Sequence, residues 1–201
     1  FYGDICFMSH NLIQDALFTA KSVAELDRIA IQEQGIPGIV LMKRAGRVVL
    51  HELLEAFGQP RLLSIFCGSG NNGGDGYIVA ALAAAKNIPV QVIELSQKLS
   101  ADASAAKQFA LEANVPCTAF DGSQHIEEGV IVDSLLGTGF SGELREPYGE
   151  AIQLINDSGL PIVAVDIPSG LNPDTGNITE VSVLADMTIT FIGAKQGLFT
   201  G

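Results

Sequence analysis

Gly68-Ser69-Gly70-Asn71-Asn72-Gly73 is the first stretch whose residue types and spacing could do chemistry. It follows a short apolar run and leads towards a helix-length segment, the setting in which a G-x-G-x-x-G turn brings backbone amides up to a pyrophosphate. Glu94 lies where a dinucleotide fold would place its ribose-binding acid, about 20 residues on, so an NAD-dependent oxidoreductase must be weighed. Against it, the loop continues as Gly74-Asp75-Gly76, with further amides and a carboxylate that an ordinary pyrophosphate turn does not need. A second glycine-rich loop, Gly137-Thr138-Gly139-Phe140-Ser141-Gly142-Glu143, allows close approach to an anionic group. A flexible connector is the plain alternative, but a connector has little use for so many glycines beside a Phe and a Glu. Tyr148 could stack on or hydrogen-bond to a ligand, while Arg145 reads equally well as a surface charge.

Asp166 closes an apolar run, where an unpaired carboxylate is costly, and so reads as ligand-facing. Asp75 has the structural alternative of capping its own turn. Asn72, Asp133 and Ser169 each stand at or just past an apolar run and offer oxygen, the donor that hard cations prefer. One acid with neutral oxygens suits a monovalent ion better than the multi-acid set of calcium. As structural alternatives, Asn72 is a turn residue and Ser169 a helix cap. His10, His51 and His125 have neither metal-like spacing nor a nucleophile motif beside them, so surface or core roles are expected.

These residues need elements to hold them. Ser22-Val23-Ala24-Glu25 reads as a capping box that opens a helix towards Gly35, and Pro37 suits the first turn of a second helix that Gly58 stops. Two helices are thus expected before the first strand. From Leu62 onward come the apolar runs LLSIFC, VQVIEL, GVIVDSLL, PIVAVDIP and MTITFIG, with helical candidates at 76–86, 101–113 and 147–156 between them. Runs without polar alternation are strands covered on both faces. The fold class is therefore α/β: a Rossmann-like, three-layer αβα sandwich with a mostly parallel sheet and N-terminal helices. In such sheets the loops after LLSIFC, VDSLL and VAVDIP share one crevice at the carboxyl ends of the strands.

The 201 residues, 47% hydrophobic and 17% charged, suffice for one core. A formal charge of -12 disfavours nucleic acid and anionic membranes, but not a nucleotide bound by amides at a helix N-terminus. Cys6, Cys67 and Cys117 are an odd number at wide spacing and read as core or incidental thiols. The beginning of the chain lacks a basic start and is unlike a secretory signal, and the longest apolar stretch is far below the ~18 residues of a spanning helix. A cytoplasmic location is expected. Residues 1–21 read as a leader or added extension, and 22–201 as the domain.

The whole run GSGNNGGDG resembles the signature of the NAD(P)HX epimerases, also called the YjeF N-terminal domain family. ELDRIAIQEQGIPGIVLMKRAG, VDSLLGTGFSGELREPY and VAVDIPSGLNPDTG resemble their counterparts in the same order, so the similarity covers about Ser22 to Gly197. Lys43, where an acid is usual, and Ala81, where an Arg is usual, depart from the pattern outside the three loops. The resemblance implies epimerisation of the R and S forms of hydrated NADH and NADPH (NADHX and NADPHX), an isomerase activity in nicotinamide-nucleotide repair. It implies substrate contacts from Asn71, Asn72, Gly73, Gly74, Asp75, the loop Gly137 to Glu143, Tyr148 and Asp166. It also implies potassium held by Asn72, Asp133 and Ser169, and a homodimer.

Asp166 is the expected acid/base. It would serve either ring opening and reclosure or loss and return of water, between which the sequence does not choose. The ending GAKQGLFTG resembles the seam where bacterial members continue into an ADP- or ATP-dependent dehydratase domain, so the resemblance implies the N-terminal part of a bifunctional enzyme. The rival readings are the oxidoreductase above and a non-catalytic nucleotide-binding or protein-interaction module of the same fold.

Overall fold

The computed structural model describes residues 4–7 (by their backbone), 16–140, 142–178 and 180–200. In chain order the elements are β1 (Asp4–Phe7), β2 (Leu17–Phe18), α1 (Ala20–Arg28), α2 (Gly38–Phe57), β3 (Leu63–Cys67), α3 (Asn71–Ala85) and β4 (Val90–Glu94). They continue as α4 (Ala101–Glu112), β5 (Cys117–Ala119), β6 (Val130–Ser134), α5 (Tyr148–Asp157), β7 (Ile162–Val165), β8 (Met187–Thr190) and β9 (Ala194–Lys195). A π-helical turn, Ile29–Glu33, extends α1.

Seven strands form one sheet in the order β1-β8-β7-β6-β3-β4-β5. Every pairing is parallel, so the expected mostly parallel sheet is wholly so. β2 and β9 make a separate parallel pair. The chain winds outward from β3 in one direction and, after β6, in the other, which puts the topological switch between β3 and β6. Apolar side chains leave both faces of the strands. Leu63, Ile65, Cys67, Val132 and Val165 pack with α2, α3 and α4, whereas Phe66, Ile93 and Ile131 pack with Ala151, Ile152 and Ile155 of α5. That is the three-layer arrangement, and burial on both sides explains why these strands lack polar alternation.

Three local expectations are corrected. First, β1 and β2 precede α1, so two helices do not come before the first strand. Strands of 4 and 2 residues are at or below the length at which a sequence pattern signals one, and here their pairing with β8 and β9 defines them. Second, α1 begins at Ala20 and not at a Ser22 cap. Thr19 leaves β2 extended and its hydroxyl accepts the Ser22 N–H at 3.1 Å, while the Asp174 carboxylate accepts the Ala20 N–H at 2.6 Å. Glu25 then pairs with Arg28 instead of closing a capping box, and a division at residues 21 and 22 falls inside the helix. Third, α3 starts at Asn71, so half of the first glycine-rich loop is helix. The Pro37 and Gly58 boundaries of α2 stand where the sequence puts them. Gly58 adopts φ 70° and donates its N–H to the Leu54 carbonyl at 2.9 Å.

Candidate active site

α3 starts early because its glycines let it press against the sheet. A Cβ on Gly68 would lie 1.8 Å from the Leu135 carbonyl oxygen, one on Gly73 2.1 Å from that of Gly68, and one on Gly76 2.7 Å from Ser134 Cβ. None of these glycines adopts a positive φ; they serve close approach. The N-terminus of α3 therefore sits directly at the carboxyl ends of β3 and β6. Gly70 caps it without a side-chain hydrogen bond, which leaves the first amides pointing outward.

Those amides open on a cavity of about 810 Å³, a volume within the range of small-molecule clefts, about 300–1,000 Å³. Asn71, Asn72 and Asp75 line it from α3, Gly137 to Phe140 from the loop after β6, and Asp166 from the end of β7. The expected common crevice is present. α1 and α2 close its other side with Asp27, Met42 and Arg44. Gly73 and Gly74 are buried inside α3, where a Gly74 Cβ would meet Met42 Cε at 2.5 Å. Gly142, Glu143 and Tyr148 do not line the cavity, and the Tyr148 ring packs against the α5 core. Ser141 lies outside the described residues.

Beneath the cavity floor, Asn72, Asp133 and Ser169 come together. Asp133 is fully buried, and its carboxylate accepts hydrogen bonds from the Ser169 hydroxyl at 2.6 Å and from the backbone N–H groups of Ser169 at 2.8 Å and Leu135 at 3.2 Å. Burial still pushes its pKa up to about 6 against these donors. The Asn72 amide donates to the Leu136 carbonyl at 3.0 Å, and its own Oδ1 is buried without a partner. Ser169 is thus a ligand to Asp133 and not a helix cap, and Asn72 is helical and not a turn residue. No group of three or more His, Cys, Asp or Glu suited to a metal exists among the described residues. The local set of one carboxylate, one orphaned amide oxygen, a hydroxyl and a carbonyl instead fits a monovalent cation that takes oxygen donors.

Asp166 stands on the cavity wall with φ 67°, a conformation rare outside glycine. Its Oδ1 pairs with Lys195 Nζ and is 3.3 Å from the Thr190 hydroxyl and 3.4 Å from the Phe191 N–H. Lys195 is fully buried, and it also donates to Thr190 Oγ1 at 2.8 Å and the Phe191 carbonyl at 2.9 Å. Sequence reading missed this lysine; the available signal was a cation directly after the apolar run of β8, where burial demands a partner. It missed Asp27 too, because an acid on an exposed helix face is unremarkable. Burial raises the pKa of both Asp27 and Asp75, and in each the neighbouring Asp166 carboxylate adds to the rise while Lys195 opposes it.

Glu94 is not available to a ribose. Its carboxylate accepts from the Tyr77 hydroxyl at 2.7 Å and pairs with Lys107 at 2.6 Å. Cys67 is a core thiol, as expected, with its pKa pushed well up by burial. No helix among the described residues is long and apolar enough to cross a membrane.

Fold and site together define a doubly wound α/β protein with a cleft at the carboxyl ends of its strands and an oxygen-rich floor beneath it. The family described as YjeF-related protein N-terminus matches residues 38–197, and the chain belongs to that family. It is 36% identical to an NAD(P)H-hydrate epimerase of Limosilactobacillus reuteri, over 92% of this chain and 88% of that protein. It is 33% identical to an NAD(P)H-hydrate epimerase of Rhodopirellula baltica, over 94% and 80%. A bifunctional NAD(P)H-hydrate repair enzyme of Coxiella burnetii is 38% identical over 92% of this chain, which spans only 38% of that relative's length. The crystal structure of yeast ynu0, YNL200c, superposes with a TM-score of 0.80 at 22% identity, covering 90% of this chain and 82% of that one, and shares the fold.

Proposed function

We propose that this chain is an NAD(P)H-hydrate epimerase, which interconverts the R and S forms of NADHX and NADPHX, with Asp166 as acid/base. The observation that carries the reading is Asp166 itself, in a strained backbone conformation and paired with buried Lys195, on the wall of the cavity into which the α3 N-terminus opens. The α3 amides suit the pyrophosphate of the ligand, and Asp166 is a carboxylate on the wall of the same cavity. Similarity to two stand-alone epimerases over nearly the whole chain supports the same reading.

Asn72, Asp133 and Ser169, with the Leu136 carbonyl, would hold potassium. Bound there, the ion would supply a fixed positive charge close to the loops after β3 and β6. The engagement of Glu94 by Lys107 and Tyr77 argues against the oxidoreductase alternative.

The test is to follow R-to-S interconversion of NADHX and NADPHX by NMR, in potassium and in potassium-free buffer. Interconversion is expected to be fast in potassium and slower without it, and Asp166→Asn is expected to lose about 10²–10⁴-fold in rate. A folded Asp166→Asn protein that keeps full activity overturns the acid/base role. A wild-type protein that leaves both epimers at the uncatalysed rate overturns the epimerase.

A further inference from the structure

Either route of epimerisation needs two proton-handling events on the same substrate. In ring opening, a base takes the hydroxyl proton, the oxygen pair forms C=O, and the C–N bond breaks with its electrons going to the ring nitrogen, which an acid protonates. In water loss, an acid protonates the hydroxyl and water leaves with the C–O pair. The nitrogen lone pair then forms C=N, and a base takes the proton from the water that adds to the other face. Each route is served without a proton shuttling across the site when one group arrives protonated and a second arrives as carboxylate. Resting on the epimerase reading, we propose that Asp75 is the proton donor opposite Asp166, and that Asp27 on α1 acts through Asp75 to keep it protonated.

The three carboxyls line one cavity but have different partners. Asp166 has a buried ammonium, a hydroxyl and an amide at its Oδ1. No donor from the described residues reaches the carboxyl of Asp75 or of Asp27. Asp75 projects from the second turn of α3, where the helix is packed against α2 and α4, and is partly exposed on the cavity side. A carboxyl in that setting is stable when neutral, and a neutral carboxyl can donate. The single lysine of the cluster is already committed to Asp166.

The charged and titratable groups around Asp75 are Asp27 from α1, Arg44 from α2, Asp102 from α4, Cys67 at the end of β3, Asp166 after β7 and Lys195 in β9. Arg44 is exposed at the cavity lining, and Asp166 and Asp27 each raise the pKa of Asp75 by more than Lys195 lowers it. Burial of Asp75 acts in the same direction and is the largest cause of its raised pKa. Asp27, half-buried and brought in by the turn that precedes the π-helical segment, is therefore a tuning group and not a reacting one.

The experiment is a pH profile of epimerisation for wild type, Asp75→Asn and Asp27→Asn, alongside a ¹³C NMR titration of the aspartate carboxyls in the folded wild-type protein without substrate. Asp75→Asn, close in shape to the neutral acid, is expected to lose about 10²–10⁴-fold in kcat with KM little changed. The alkaline limb of the profile, where the donor loses its proton, is expected to move down by about one pH unit in Asp27→Asn as the neighbouring charge is removed. The carboxyl signal missing from Asp75→Asn should titrate well above the ordinary carboxylate range.

A fully active Asp75→Asn, a loss confined to KM, an alkaline limb unmoved in Asp27→Asn, or an Asp75 signal that titrates near 3.8 would overturn the proposal. If wild type does not epimerise at all while Asp75 titrates high, the epimerase reading fails and the protonated Asp75 stands. If wild type epimerises while Asp75 titrates low, the donor assignment fails alone.

Discussion

Asp133 and Asp166 both sit at the carboxyl ends of adjacent parallel strands, yet the chain treats the two charges in opposite ways. Asp133 lies under the cavity floor, and among the described residues its donors are neutral, the hydroxyl and N–H of Ser169 and the N–H of Leu135. Asp166 lies on the wall, 15% exposed, and has a cation of its own in Lys195. A carboxylate supplied with dipoles but no cation invites one from solution, whereas a carboxylate already paired can face a substrate without capturing an ion. The difference separates an ion-holding floor from a proton-handling wall within a single crevice.

The largest effect should come from removing the wall's cation. Lys195→Met leaves Asp166 without its partner in a poorly solvated place, and is expected to destabilise the chain by about 3–5 kcal/mol in denaturant unfolding, with epimerisation lost in whatever folds. If the variant is as stable as wild type, the neutral donors around Asp166 suffice and the two aspartates are alike.

A smaller effect should come from pH acting on the floor. The folded pKa of Asp133, about 6, lies above its ordinary 3.8. The folded state therefore holds the proton more tightly than the unfolded one between these values, and its stability falls as pH rises through them. At about 1.4 kcal/mol per pH unit, the loss is about 3 kcal/mol, complete just above pH 6 in potassium-free buffer. Asp133→Asn should flatten that fall, and potassium should suppress it in the wild type by binding the carboxylate form. A wild-type stability that rises over this interval and ignores potassium would remove the distinction between floor and wall.

The smallest effect sharpens the role of Lys195. Thr190→Val deletes a hydroxyl that accepts from the lysine and lies 3.3 Å from Asp166, while the ion pair itself stays. A cost of about 1 kcal/mol is expected in thermal unfolding; a cost as large as that of Lys195→Met would make the hydroxyl, not the cation, the main support.

Much of this was legible before any coordinates. The apolar runs at β3, β4, β6, β7 and β8 stand out because parallel strands buried on both faces need no alternation, and that same burial places their end loops in one crevice. Glycine-rich runs are conspicuous by composition, so Asn72, Asp75, Gly137 and Asp166 could be picked out. Why the glycines are there could not be read. Those around α3 prevent collisions with the Leu135 carbonyl, Ser134 and Met42, whereas Gly142 adopts φ 104° in open space. A glycine in a sequence does not say which of the two it serves. Nor could the short strands β1, β2, β5 and β9 be found, since their neighbours in space define them.

The sequence alone determined the α/β class, the order of the strands along the chain and the three loops that carry the polar residues, because these depend on local composition and on a hydrophobic pattern with a short period. Only the tertiary structure decided that Lys195 reaches Asp166 across 29 residues, that Asp27 and Asp75 line one cavity from different helices, and that Lys107 and Tyr77 occupy Glu94. Charge pairing and proton affinity depend on distance and burial in three dimensions, and neither is encoded by spacing along the chain.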